Sequence, residues 1–232
     1  MRTIGLIGGM TWHSTVDYYK LINEEVQRRL GGSSSARCVL YSLEFGEVEA
    51  LQDSGDWARL YALMADAARR IEAAGAQCIV ICANTMHRTV EAIASASPLP
   101  LLHIADAAAG EVIRQGLKTV GLLGTRYTME MDFYRRRLEE KHGLRVLIPD
   151  KAGRDRVHEI IYRELGLGVI LDASRAEYIR IIDELRHQGA EGIILGCTEI
   201  PLLIRPGDAP IPTFDTTALH ARAAVDWALA PE

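Results

Sequence analysis

Short apolar runs recur along the chain and most show no polar alternation: Thr3–Ile7, Val39–Leu43, Cys78–Cys82, Leu99–Ile104, Thr119–Leu123, Val146–Ile148, Gly192–Leu195 and Ile211–Phe214. Continuous apolar runs of strand length are expected where a strand is covered on both faces, as in parallel sheets. Amphipathic helical patterns lie between them. Residues 14–30 open with Ser14 and Asp17 at capping-box spacing and stop at Gly31-Gly32, and residues 174–188 open with Ser174 and Glu177 and stop at Gly189. A βαβα order with helices between strands predicts an α/β fold built on parallel sheets.

The pattern then repeats. Gly5-Leu6-Ile7-Gly8-Gly9-Met10 is similar to Gly121-Leu122-Leu123-Gly124-Thr125-Arg126, and Gly75-Ala76-Gln77-Cys78-Ile79-Val80-Ile81 is similar to Gly189-Ala190-Glu191-Gly192-Ile193-Ile194-Leu195. A period this long predicts two pseudo-symmetric parallel-sheet α/β domains rather than a solenoid. The expected division is residues 1–105 plus 215–232 for the N-terminal domain and 106–214 for the C-terminal one, the last helix (Thr217–Leu229) packing back on the first. Ligands of parallel α/β sheets bind outside the carboxyl ends of the strands, so the active site is expected in the cleft between the domains. Aligning Gly75 with Gly189 pairs Cys82 with Gly196, Ala83 with Cys197, Asn84 with Thr198 and Thr85 with Glu199. The two strand-end cysteines, Cys82 and Cys197, are therefore not counterparts.

Composition narrows the chemistry. The chain has 232 residues, 25% of them charged, and a formal net charge of −5, which gives no electrostatic case for nucleic acid or an anionic membrane. No apolar stretch approaches the roughly 18 residues of a membrane span, so a cytoplasmic protein is expected. Four cysteines without a secretion signal read as free thiols. None of the few lysines, Lys20, Lys118, Lys141 and Lys151, lies in or just after a strand-like run, which argues against a pyridoxal phosphate Schiff base.

A thiol at the end of a buried strand, followed by Thr-Glu and then a helix, is well placed for acid/base work. Helix N-terminal amides there would favour a thiolate and hold a carboxylate. Cys197 is the stronger candidate and Cys82 the weaker, since buried cysteine is commonly packing alone. Cys82, His87, Cys197, His103 and His220 lack the ligand spacing of structural zinc sites, and no metal is expected. Gly5-x-x-Gly8-Gly9 lacks the dinucleotide spacing and reads as a tight strand-end turn bringing Met10 and Thr11 near a ligand. The run Arg135-Arg136-Arg137, with Glu139 and Glu140 nearby, reads as a solvated, salt-bridged helix face.

Four stretches in this order, Gly5–Met10, Ile79–His87 (IVICANTMH), Leu122–Glu130 (LLGTRYTME) and Ile193–Leu202 (IILGCTEIPL), resemble the aspartate/glutamate racemase superfamily, and most closely its aspartate-racemase and broad-specificity branch. The resemblance implies cofactor-independent inversion at an amino-acid α-carbon, one group taking the proton from one face and another returning it to the opposite face, one group from each half. It implies Cys197 as the second-half acid/base. It implies substrate binding by Met10, Gln52, Asn84, Thr85, Thr125, Tyr127, Thr128, Thr198 and Glu199, with Gln52 at the side-chain end. The implied partners are a small amino acid or dicarboxylate and a second copy of the chain, with Trp12 and Tyr18-Tyr19 near the subunit contact.

The sequence departs from the family at one position. Where two-cysteine members carry the first-half cysteine before Asn-Thr, this chain has Ala83, which can neither give nor take a proton. Three expectations follow: a racemase or epimerase in which Cys82, Thr85, His87 or a water serves the first face; a one-thiol enzyme like the arylmalonate decarboxylases; or a homologue that binds an amino or carboxylic acid without turnover.

Overall fold

The computed structural model describes residues 1–231. In chain order, β1 (Ile4–Gly8), α1 (Trp12–Leu30), β2 (Cys38–Ser42), α2 (Phe45–Asp53), α3 (Trp57–Ala73) and β3 (Cys78–Ile81) are followed by a 3₁₀ turn (Thr85–Thr89), α4 (Val90–Ala96) and β4 (Leu101–Leu102). The chain continues through α5 (Ile104–Arg114), β5 (Thr119–Gly124), α6 (Arg126–Glu130), α7 (Asp132–Arg136), a π-helical turn (Arg137–Lys141), β6 (Arg145–Leu147) and α8 (Lys151–Arg163). A 3₁₀ turn (Leu165–Leu167), α9 (Asp172–His187), β7 (Gly192–Gly196), α10 (Ile200–Leu203), β8 (Thr213–Asp215) and α11 (Thr216–Leu229) complete it.

The strands form two four-stranded sheets of one topology, β2-β1-β3-β4 and β6-β5-β7-β8, every pair parallel. Two compact units correspond to them: Met1–His103 with the chain from His220 onward, and Ile104–Leu219. The registers match. Ile7 lies opposite Ile81 in the first sheet and Leu123 opposite Leu195 in the second. Each sheet is sandwiched between two apolar layers, as its unalternating strands require. In the first unit, Ile4, Leu6, Val80 and Tyr18 pack with Ala221 and Val225 of α11, while Ile7, Ile79 and Ile81 pack with Leu60, Met64 and Ile71 of α3. In the second, Leu123, Ile193 and Leu195 pack with Val157 of α8 and Ile182 of α9, while Val120, Leu122 and Ile194 pack with Ala105 and Val112 of α5.

Several boundaries differ from the sequence expectation. α1 begins before Ser14: Thr11 is the cap, its hydroxyl accepting the Ser14 amide at 3.5 Å, and the Ser14 hydroxyl turns back to the Thr11 carbonyl. α9 likewise begins at Asp172, and the Ser174 hydroxyl donates to Glu164 rather than capping. The Leu99–Ile104 run yields only the two-residue β4: Pro100 has no amide to donate, although its carbonyl accepts the Ile79 amide of β3, and α5 already begins at Ile104. The arginine run divides. Arg135 and Arg136 pair with Asp132, Glu139 and Glu140 on an exposed face. Arg137 instead grips Asp106 of α5 through two bonds of 2.7 and 2.8 Å, joined there by Lys141 and His142. Burial alone would raise the Asp106 pKa, but Arg137, His142 and Lys141 outweigh it and hold the carboxyl well below its usual range.

Among the described residues no helix is long and apolar enough to cross a membrane.

The repeat-equivalent glycines Gly5 and Gly121 test how tightly each sheet is covered. A methyl group on Gly5 would lie 2.3 Å from Ile71 Cγ2 and 2.7 Å from the Cys78 carbonyl oxygen, which cannot move without breaking the sheet. On Gly121 it meets only the side-chain ends of Ile193 and Leu185 at 2.5 and 3.0 Å. Gly5→Ala should therefore cost about 1–3 kcal/mol in urea unfolding and Gly121→Ala distinctly less; equal losses would contradict this packing.

Candidate active site

Consecutive side chains of a strand point to opposite faces, so the residues emerging at a strand end are set by parity. Along β3 and its exit, Cys78, Val80 and Cys82 belong to the layer containing Tyr18 and α11, whereas Ile79, Ile81 and Ala83 belong to the layer containing Met10 and Met86. Along β7, Ile193, Leu195 and Cys197 share one layer and Ile194 faces the other. Positions 79, 81 and 83 thus correspond in facing to 193, 195 and 197, the pairing that the glycine register gives. The Cys82 thiol is fully buried beneath α1 and α11, where burial pushes its pKa well up.

In the second unit Cys197 stands one residue past β7. Its Sγ donates to Glu199 Oε2 at 2.9 Å, and the Thr198 hydroxyl donates to the same oxygen at 2.7 Å. All three residues are buried. An oxygen accepting two such bonds is carboxylate-like, and the thiol carries its proton in this arrangement. Burial is the main cause raising the Cys197 pKa, and the Glu199 charge and hydrogen bond add to it; the Thr198 and Glu199 amides oppose both. The carboxyl end of β5 supplies the neighbouring group: Thr125 caps α6, accepting the Thr128 amide, and its hydroxyl lies 3.3 Å from that of Thr128. Half-buried Tyr127 sets its ring edge-on to His158. The Arg126 guanidinium turns to Asp155 at 3.6 Å.

In the first unit the turn after β3 carries Ala83, Asn84 and Thr85, all buried. His87 Nδ1–H donates to the Ala83 carbonyl at 2.8 Å. Its ring packs against those of His103 and His220 at 4.5 and 5.6 Å between centroids. His220 is fixed in turn, Nε2–H donating to the Leu102 carbonyl and Nδ1 accepting from Tyr18 Oη, both at 2.8 Å. Met10 and Gln52 reach the same turn: Gln52 Nε2 lies 3.4 Å from Met86 Sδ, and Met10, Ala83 and Met86 share one apolar layer. Of the residues predicted from sequence, Met10, Gln52, Ala83, Asn84 and Thr85 gather at this strand end, and Thr125, Tyr127, Thr128, Cys197, Thr198 and Glu199 at the carboxyl ends of β5 and β7. Cys82 faces away from its group.

Sequence reasoning missed two features. One is the hydrogen bond from the Cys197 thiol to the Glu199 carboxylate, which stands beside the substrate-binding role expected of Glu199; a carboxylate two residues beyond a strand-end cysteine is the signal. The histidine column was legible only as separate residues, because Tyr18, His87, His103 and His220 are far apart in the chain. Among the described residues, no group of three or more His, Cys, Asp or Glu side chains has the geometry of a metal site.

Residues 7–224 match the Asp/Glu/hydantoin racemase family. The chain is 25% identical to the broad specificity amino-acid racemase RacX of Bacillus subtilis (strain 168), over 98% of each chain. It is similar to a solved structure from Yersinia pestis that carries a provisional Asp/Glu racemase name, at 53% identity and a TM-score of 0.93, covering 99% of this chain and 100% of that one. An aspartate racemase homologue from Pyrococcus horikoshii OT3 is 35% identical with a TM-score of 0.85 and the same coverage.

The geometry makes Glu199 a modulator of the thiol. In Glu199→Gln the charge that opposes thiolate formation is gone, so the midpoint for iodoacetamide labelling of Cys197, read by mass spectrometry against pH, should fall. A midpoint that stays or rises would contradict the assigned hydrogen bond.

Proposed function

Because the chain belongs to the Asp/Glu/hydantoin racemase family, we propose that it is a cofactor-independent amino-acid racemase or epimerase in which Cys197 exchanges the substrate's α-proton. The observation carrying this reading is the Cys197–Glu199 pair at the carboxyl end of β7. One proton is shared between two groups: with it on sulfur, Cys197 is an acid; with it on Glu199, the thiolate is a base, and α-proton abstraction gives a thiol and an enolate-like carbanion. Thr198 fixes the carboxylate so that the proton has a defined alternative site. The hydroxyls of Thr125, Thr128 and Thr85, the Asn84 amide and Tyr127 are the proposed binders of the amino acid's carboxylate and ammonium. The exposed row Trp12, Val16 and Tyr19 on α1 is the surface we assign to a homodimer contact.

The opposite face of the α-carbon lacks a thiol in this reading. Ala83 has no proton to move, and Cys82 is buried on the wrong side of its strand. Inversion is therefore slower than exchange, and the two enantiomers are handled unequally. The same observation favours a second reading, a one-thiol decarboxylase in which Cys197 protonates the enolate left by CO2 loss; release of CO2 from a substituted malonate, with no exchange from any amino acid, would select it.

In D2O, Cys197→Ser should lower α-deuterium incorporation roughly 10²–10⁴-fold, the usual size of a general acid/base contribution. Cys82→Ser should leave it unchanged, and Ala83→Cys should raise racemisation followed by chiral chromatography. Full activity in Cys197→Ser would sink the proposal.

A further inference from the structure

The turn from Thr125 to Thr128 is carried by α6, which is five residues long. A helix of one turn closes few bonds of its own, so its placement depends on what grips it from outside. Its Met129 amide reaches the Thr125 carbonyl at 3.0 Å, and the Met131 amide reaches that of Tyr127 at 3.2 Å. Three further contacts hold it to α8, within the same compact unit. Two are ion pairs between side chains, Arg154 with Glu130 at 2.7 Å and Arg126 with Asp155 at 3.6 Å, and partly solvated pairs of this kind fix a backbone weakly. The third is made to the main chain itself. His158 Nδ1 accepts the amide of Arg126, the residue between Thr125 and Tyr127, at 3.2 Å. The same imidazole meets the Tyr127 ring edge-on at 6.2 Å and lies 4.6 Å from the ring of Tyr162. One side chain thus holds both the backbone of the turn and the ring that projects from it.

Accepting an N–H leaves Nδ1 without a proton, so the neutral imidazole carries its hydrogen on Nε2. Protonation would make both nitrogens donors and abolish the bond. The charged groups around this junction pair with one another: Asp155 with Arg126 and Lys151, Glu130 with Arg154 and, on the α9 side, Arg156 with Glu177. Tyr127 and Tyr162 are the titratable groups set against the ring.

From this arrangement we propose that His158 is a positioning residue of the candidate site, holding the Arg126 amide so that Tyr127 and the Thr125–Thr128 hydroxyl pair are presented to the substrate's carboxylate and ammonium. The inference rests on the racemase reading, which makes those three residues binding groups, and adds a residue that acts through them.

Two variants separate the acceptor from the rest of the ring. Asparagine places Oδ1 where histidine places Nδ1 and does not titrate, whereas alanine offers no acceptor. In amide hydrogen exchange of residues 125–131, followed by mass spectrometry, His158→Ala should exchange at least about tenfold faster than the unaltered protein and His158→Asn within about threefold of it. Equal exchange in all three overturns the assignment whatever the activity. α-Deuterium incorporation in D2O is then measured for L-aspartate, L-glutamate, L-homoserine and L-methionine, and the one that exchanges fastest is carried forward. His158→Ala should raise KM about tenfold or more with kcat within about threefold, as lost ground-state binding does, and His158→Asn should restore it. From about pH 7.5 to about pH 5.5, KM of the unaltered protein should rise at least about threefold more than that of His158→Asn, because only the imidazole loses its acceptor there. An unchanged KM in His158→Ala, or the same acid rise in His158→Asn, overturns the inference and leaves the racemase reading intact. If no amino acid exchanges, equilibrium dialysis of the same amino acids, radiolabelled, takes the place of KM. Weaker retention by His158→Ala than by the other two proteins then upholds the positioning role and removes the racemase reading, and equal retention or none overturns both.

Discussion

The two-residue period of a β-strand is the constraint on which the account turns. A strand covered on both faces sends odd and even positions into different layers, so moving a side chain by one residue transfers it from one layer to the other. In β7 that parity puts Cys197 with Leu195 and Ile193, at a strand end where Glu199 can reach its sulfur. In β3 the same parity delivers Ala83 with Ile81 and Ile79, and sends Cys82 into the core under α11. Two cysteines near equivalent points of a repeat thus have unlike environments, one partnered by a carboxylate and the other by aliphatic groups.

The polar groups behind each strand end explain how such turns are held. Buried amides, hydroxyls and imidazoles cost free energy unless they are hydrogen-bonded. In the first unit a chain of such bonds runs from Tyr18 through His220 to the Leu102 carbonyl, and His87, packed on His220 and His103, holds the Ala83 carbonyl. In the second, the Thr216 hydroxyl takes the Leu195 carbonyl and Thr125 closes the first turn of α6. These contacts fix the backbone from which the candidate binding groups project, and they leave Cys197 as the thiol whose proton has a polar partner.

Much of this was legible in the sequence because it depends on local period and on repetition. The apolar runs marked the strands, and the paired glycines Gly75 and Gly189 gave a register that the facing of Ala83 and Cys197 reproduces. What escaped depends on contacts distant in sequence. The arginine run could not disclose that Arg137 would be drawn to Asp106, thirty-one residues away and also bound by Lys141 and His142. The helix starts were misplaced at Ser14 and Ser174 because those hydroxyls bond the Thr11 carbonyl and Glu164 instead of capping.

The central claim is that a proton-transfer thiol stands at the end of β7 and that its repeat counterpart at the end of β3 has none. It is tested most directly by following an α-deuterated amino acid of one configuration in ordinary water, measuring loss of deuterium by mass and inversion by chiral chromatography in the same samples. For one enantiomer, deuterium loss should outrun inversion by at least about tenfold, since only one face meets a competent acid/base. Equal rates of loss and inversion from both enantiomers would contradict the account.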